Sequence, residues 1–583
     1  MKILGIADGM SGGAALLEDG RVTFAVHEER LTRAKMATGF PRRSIACVLE
    51  ATRTDPREID AIAVATVNEF FRDPAVAYDG WLLRDQNLLK EALLHAASGV
   101  TRLMGSASLL KRSYYELKSV LGRARRKTIR RVLGEEWGLR CPVEFVDHHF
   151  AHACSAYFTS GLDQATVITM DGAGDNKCSH VYRVRGGVFE RLWTIDSFDS
   201  VGNYYAYVTH LCGFKAQKHE GKITGLAAYG RPEHLELLRR FMTYDNGTTV
   251  NIGRVFYWSA VNALLGALPR DFRREDLAAS AQSLLEDVCT AYVDHWVART
   301  GCPDLAVAGG VFANVKLNQR IHELTAVRSL FIHPGMGDEG LAVGAAFAVA
   351  AARGRDRGAA TEPGRLRDVY LGPEYGEQEI ASAIAEAGLD AERPPDVARR
   401  AAELLAQGCV VARYDGRMEY GPRALGNRSV LYQPTDPSVN DWLNKRLKRT
   451  EFMPFAPVTP VEYADQCYHG VEGARYAAEF MTITFECSPW LKERCPAVVH
   501  VDGTARPQLI HRDRNPEYHG IVEEYRKLTG LPVLINTSFN MHEEPIVCTP
   551  RDAVRAFLDG GLEYLALGRY VVRNPASARR SPA

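Results

Sequence analysis

The apolar positions of the opening residues fall into three short runs. Ile3–Ala7, Ala14–Leu17 and Val22–Val26 each predict a strand. Asp8-Gly9-Met10-Ser11-Gly12-Gly13 separates the first two, and Asp19-Gly20 is a hairpin signal between the second and third. The same pattern returns later. Thr166–Met170 predicts a strand, Asp171-Gly172-Ala173-Gly174-Asp175 an acidic turn, and His180–Val184 and Val188–Trp193 two strands around Gly186-Gly187. A strand–turn–strand unit written twice predicts two similar subdomains facing each other across a cleft. Backbone N–H groups in such turns can cradle a phosphate.

Between and after these units the periodicity predicts strands at Ile59–Thr66, Val143–Val146, Leu305–Ala308 and Leu330–His333. Residues 70–134 predict a basic helical insertion, and the mostly polar stretch after Gly230 predicts helix up to about Arg299. Gly309-Gly310 predicts a tight turn before a helix at Phe312–Ile321, and another helix ends near Ala352. The polar stretch 353–367 reads as a linker. Residues 1–352 and 368–583 are then the two domains. The second predicts helices at Ala381–Ala387 and Val397–Gln407 and strands at Cys409–Tyr414 and Pro532–Ile535.

Composition narrows the classes. The chain has 583 residues, with 71 basic and 71 acidic side chains and no net charge, which argues against a protein that coats nucleic acid. Its 12 cysteines form no C-x-x-C pair and predict reduced thiols in a cytoplasmic protein. Met1–Ile6 runs straight into a strand, so no signal peptide is expected. The apolar run at Leu341–Ala352 is too short to span a bilayer, so no membrane is expected.

The chemistry starts at Asp147-His148-His149-Phe150-Ala151-His152. His148 and His152 are one helical turn apart, a spacing that can hold one metal ion. Asp338, before a helix, either caps that helix or completes the metal site. Lys218-His219-Glu220-Gly221-Lys222 opens a glycine-rich loop that runs to Gly230. Arg417, Arg423 and Arg428, then Lys445, Arg446, Lys448 and Arg449, then His500, Asp502 and Arg506, then Asn536–Asn540 suggest an anion-binding cleft in the second domain. Arg123, Arg125, Arg126, Lys127, Arg130 and Arg131 read either as a solvated helix face or as a contact for an anionic partner.

In this order the motifs resemble the O-carbamoyltransferases of antibiotic and nodulation-factor biosynthesis, of the tobramycin- and cephamycin-pathway type. The resemblance implies an α/β protein: an actin-like (ASKHA) N-terminal domain of two similar subdomains, plus a YrdC-like α/β C-terminal domain. It implies that ATP and carbamoyl phosphate form carbamoyl adenylate and pyrophosphate in the second domain. The first domain then passes the carbamoyl group to a small-molecule hydroxyl. It implies His148, His152 and Asp338 as ligands of a divalent metal, Fe2+ in this family, with Mg2+ accompanying ATP. Lys35, Asp171, Gly172, Gly174, Gly309, Gly310 and Asn314 would contact nucleotide. Arg423, Lys448, Arg506, Asn536 and Ser538 would hold carbamoyl phosphate. The resembling enzymes usually carry His-Asp, its histidine the base, where this chain has Met10 and Ser11; the alternatives left for a base are His149, Glu220, His219 or none. The alternatives are an amine or water as acceptor, or a nucleotide- and metal-binding protein associated with RNA, although no nucleic-acid partner is expected from the charge balance.

Overall fold

The computed structural model describes residues 1–69, 71–80, 108–356, 358, 361–448 and 452–576. Of residues 108–121 it describes only the backbone. The insertion expected at 70–134 therefore lies in part outside the described residues, as do Arg449 and the last residues of the second domain.

The doubled strand pattern folds into two sheets of the same design. In the first, β1 (Lys2–Ala7), β2 (Gly13–Glu18) and β3 (Arg21–His27) form an antiparallel meander. β4 (Ala61–Ala65) and β5 (Val143–Val146) add in parallel beyond β1, giving the order β3-β2-β1-β4-β5. Asp19 and Gly20 both have positive φ, 47° and 78°, as a two-residue turn matching the strand twist requires.

In the second sheet β6 (Gln164–Gly174), β7 (Lys177–Arg185) and β8 (Val188–Asp196) form the meander. A separate ribbon follows, β9 (Thr243–Asp245) with β10 (Thr248–Val250). β11 (Asp304–Ala308) and β12 (Ser329–Ile332) then join β6 in parallel, so the order β8-β7-β6-β11-β12 repeats the first. This repeated order is the actin-like arrangement. The turn between β6 and β7 is Asp175-Asn176, with φ of 48° and 68°, not the expected Asp171–Asp175. Asp and Asn tolerate that conformation, so β6 runs on through the glycines. The ribbon β9–β10 corrects the all-helical reading of 231–299.

Two helices fill the space between the sheets. His148–Phe158 and Leu341–Asp356 pack on each other and, with Ile3, Ala63, Val167 and Ala306, form one buried cluster. The basic helix Ser108–Trp137 covers the first sheet. Arg123, Lys127, Arg130 and Arg131 are solvated, but Arg125 is 1% exposed and its guanidinium pairs with Asp8. No helix among the described residues is long and apolar enough to cross a membrane.

The C-terminal domain is a separate sheet. Its strands are β13 (Ala391–Glu392), β14 (Val411–Tyr414), β15 (Arg428–Tyr432), β16 (Ala456–Pro460), β19 (Gln508–Ile510), β20 (Leu534–Ser538), β21 (Tyr564–Leu567) and β22 (Tyr570–Arg573). They lie in the order β13-β22-β21-β14-β15-β20-β16-β19, and β17 (Phe485–Glu486) pairs with β18 (Thr504–Ala505) apart from them. Arginines tie the halves together. Arg33 donates to the carbonyls of Ile546 and Pro545 at 2.7 and 2.6 Å, and Arg417 donates to Thr23 O at 3.0 Å.

Candidate functional site

The helix carrying the histidine pair starts at Asp147, whose carboxylate accepts from Phe150 N at 2.9 Å. That cap aims His148 and His152 along one face, with their Nε2 atoms 3.2 Å apart. Asp338 Oδ1 lies 3.5 and 3.6 Å from these nitrogens. Asp338 makes no side-chain cap: Gly337 occupies the N-cap position of that turn. Asp171 Oδ2, from β6, lies 3.4 and 3.3 Å from the same two nitrogens. Asp171, expected to contact nucleotide, sets its carboxylate against the histidines, a position the sequence reading did not assign to it. The four donor atoms all lie within 4.8 Å of one another.

This donor set fits a divalent cation. Two imidazole nitrogens and two carboxylate oxygens converge on one point, and the carboxylates would repel without positive charge between them. Burial opposes charge on His148, yet Asp338, Asp171 and Asp175 outweigh it and push the imidazole up to about 9. Burial also disfavours charge on Asp171, but hydrogen bonds to His148 and His152 hold its carboxyl well below the usual range. The site gathers positive charge by whatever means it has.

A cavity of about 420 Å³ opens on this cluster. Met10, Ser11, Asp171, Gly172, Glu220, Gly310, Asn314 and Asp338 line it, drawn from both sheets. Of the residues expected to contact nucleotide, Gly172, Gly310 and Asn314 come together in this lining with Asp171. Asn314 is already engaged, accepting from Leu317 N and donating to Gln282 Oε1 at 2.8 Å. Gly309 and Gly174 do not line the cavity. A Cβ on Gly309 would lie 2.1 Å from Met170 O, so its role is close passage of β11 past β6. A Cβ on Gly174 would lie 2.1 Å from His148 Cδ2, so that glycine makes room for the imidazole.

Glu220 begins the helix Glu220–Ala227, which corrects the expected glycine-rich loop. Its carboxylate accepts from Gln217 N, and burial pushes it up to about 7. His149 is not brought to the cavity. It is 0% exposed, its Nδ1 is 2.9 Å from Thr169 Oγ1, and burial followed by the neighbouring His148 and His180 holds it well below the usual range. It follows His148 on the helix, and its ring turns toward β6 and β7, 5.1 Å from that of His180. His219 sits elsewhere, 3.2 Å from Glu543 Oε1.

A second cavity, of about 460 Å³, lies between the domains. Arg423, Arg506, Asn536 and Ser538 line it from the C-terminal domain. Lys35, Lys218 and Lys222 line it from the N-terminal one, so Lys35 faces this cavity rather than Gly172 and Gly310. Lys448 is not brought here; it has φ of 57° just past the helix Val439–Arg446. Asn536 Nδ2 donates to Gln508 Oε1 at 2.8 Å, while its Oδ1 is buried with no partner.

The two cavities adjoin, sharing Met36, Lys218, Glu339 and Arg423 in their lining. Lys218 and Glu339 escaped the sequence reading. The charge cluster at 218–222 was the available signal for the lysine. Glu339 follows Asp338 directly, and burial pushes it up to about 7.

A doubled actin-like domain bearing a cluster of two histidines and two aspartates, joined to a sheet domain across a cavity lined by arginines and lysines, defines a class of two-domain α/β proteins. Two family profiles match: Carbamoyltransferase N-terminus over residues 2–347 and Carbamoyltransferase C-terminus over residues 402–574. The chain belongs to the carbamoyltransferase family, and it is a carbamoyltransferase. It is similar to nodulation protein NolNO of Sinorhizobium fredii, with 33% identity over 96% of this chain and 78% of that protein. It is also similar to nodulation protein NolO of Bradyrhizobium diazoefficiens, with 34% identity over 74% of this chain and 80% of that one. Among solved structures, HypF of T. kodakarensis is 14% identical, with a TM-score of 0.34, covering 63% of this chain and 50% of that one. The fold assignment rests on the strand order.

Proposed function

We propose that the protein is an ATP-dependent O-carbamoyltransferase that takes its carbamoyl group from carbamoyl phosphate, by way of carbamoyl adenylate, and delivers it to a hydroxyl of a small natural product. The observation that carries this reading is the pair of adjoining cavities, one cationic and one centred on the histidine–aspartate cluster.

Activation belongs to the cationic cavity and the YrdC-like domain. Atom balance sets its course. Carbamoyl phosphate takes up water, inorganic phosphate leaves, and carbamate remains. A carbamate oxygen then attacks the α-phosphorus of ATP, and pyrophosphate leaves. Both reactants are anions, so Arg423, Arg506 and the lysines from the other domain lower their repulsion and hold charge that spreads onto the leaving group. Asn536 and Ser538 orient the carbamoyl end.

Transfer belongs to the other cavity. Glu220 takes the proton of the acceptor hydroxyl, whose oxygen attacks the carbamoyl carbon, and AMP leaves. A carboxylate with an affinity for protons near neutrality suits that task. It also replaces the imidazole missing at Met10 and Ser11. Gly172 and Gly310 leave the cavity wall open for the nucleotide to lie close. His148, His152, Asp171 and Asp338 would hold a divalent metal, Fe2+ by resemblance, which supplies Lewis-acid polarisation of the carbamoyl carbonyl when bound.

Two variants separate the halves. His148→Ala should lose carbamoyl transfer, followed by product mass with a panel of hydroxylated acceptors, and keep pyrophosphate release. Arg506→Ala should lose pyrophosphate release. Pyrophosphate release by the native protein that never yields an acceptor-dependent product would move the reading to water as acceptor. Unchanged release in Arg506→Ala would remove that residue from the activation cavity.

A further inference from the structure

The segment behind His148 is held in an unusual way. Thr66 follows β4 with φ of 69°, a left-handed conformation that is strained for a β-branched side chain. Strain of this kind persists only where the surroundings impose it. Here they do. Arg125 donates to Thr66 O at 2.8 Å and to Ala65 O at 3.1 Å. The Asp175 carboxylate accepts from Val67 N at 2.9 Å and from Asn68 N at 2.6 Å. The same carboxylate accepts from His148 N at 2.8 Å, at the start of the histidine helix. One side chain thus joins the end of β4, the β6–β7 turn and that helix.

The outcome is one contact. Thr66 Oγ1, buried, lies 3.2 Å from His148 Nδ1. We infer that Thr66 and Asp175 are positioning residues for the metal centre: Thr66 accepts the Nδ1–H of His148 and so presents the Nε2 lone pair to the cluster, while Asp175 holds both segments in register. An outer partner on the second ring nitrogen fixes tautomer and ring angle. His152 has no such partner, since its Nδ1 is buried without a hydrogen bond. Thr66 therefore fixes the one imidazole that the fold holds at both ends. The inference rests on the metal reading above.

The test is Co2+ binding to the full-length protein stripped of metal, followed by the visible absorption of the bound ion. Native protein should bind Co2+ and His148→Ala should not; failure of the native protein to bind overturns the metal reading itself. With native binding in hand, Thr66→Val should weaken Co2+ affinity about 10–100-fold, as loss of an outer-shell partner does, and should alter the absorption bands. Thr66→Ser should restore both. Thr66→Gly relieves the backbone strain but lacks the hydroxyl, so it should melt no lower than Thr66→Val and still bind Co2+ weakly. Thr66→Val with native affinity and native bands would overturn the positioning role and leave the metal reading standing.

Discussion

Gly174→Ala puts the geometry of the histidine cluster under the most direct strain. A Cβ at residue 174 would lie 2.1 Å from His148 Cδ2, 2.2 Å from Cγ and 2.4 Å from Nε2. Non-bonded carbons rest about 3.5–4.0 Å apart, so something must yield by about 1.5 Å. The backbone is poorly placed to yield. Gly174 pairs with Lys177 in the sheet, and the next residue, Asp175, is tied to Val67 N, Asn68 N and His148 N. The displacement falls on the imidazole. Metal sites hold their ligand distances to within about 0.2 Å, so a shift several times larger removes His148 from the donor set. Loss of an outer partner alone costs about 10–100-fold in affinity, and loss of a direct ligand costs at least as much. Gly174→Ala should therefore bind Co2+ at least about 10-fold more weakly and lose carbamoyl transfer. Pyrophosphate release should persist, because the cationic cavity has no part in the clash. A thermal melt by circular dichroism confirms that the variant is folded. A folded Gly174→Ala protein with native Co2+ affinity and native transfer would refute the reasoning.

Glu220 and Arg125 support two further tests. If Glu220 is the base, transfer should fall as pH drops through about 7, and Glu220→Gln should be slow with that limb abolished; an unchanged pH profile in the variant would exclude it. The same raised affinity for protons favours the folded state at low pH, and this contribution is lost as pH rises through about 7. Glu220→Gln should accordingly gain stability relative to the native protein at pH 8, measured by urea denaturation. Arg125→Met leaves the buried Asp8 carboxylate without its partner and should cost about 3–5 kcal/mol in the same urea assay; a cost below about 1 kcal/mol would mean that the pair is relieved some other way.

The division between what the chain announces and what only folding reveals follows the range of the interactions. Hairpins announce themselves where the turn residues are local signals, as at Asp19-Gly20 and Gly186-Gly187. The ribbon β9–β10 carries the same signal at Asn246-Gly247, but its strands are three residues each and lie among helices, so the longer period prevailed. The glycines of 171–175 misled for a related reason. They read as a turn, whereas a register shift between Met170 and Gly174 lets the strand absorb them and moves the turn to Asp175-Asn176. That one displacement changes the chemistry. In a turn, Asp171 and Gly174 read as part of a cradle for a ligand's phosphates. On a strand beside the helix at 148–158, the first sets its carboxylate against His148 and His152, and the second is the space that admits the imidazole. His148 and His152 were legible because one helical turn joins them. The cationic cavity was half legible, since its C-terminal residues sit at strand ends and turns. Its N-terminal lysines arrive across contacts such as that of Arg33, which donates to carbonyls more than 500 positions away along the chain, at Pro545 and Ile546. A site assembled over that distance has no local period to betray it: Lys218 and Glu339, which line both cavities, stand in the sequence only as part of a charge cluster and as the neighbour of Asp338.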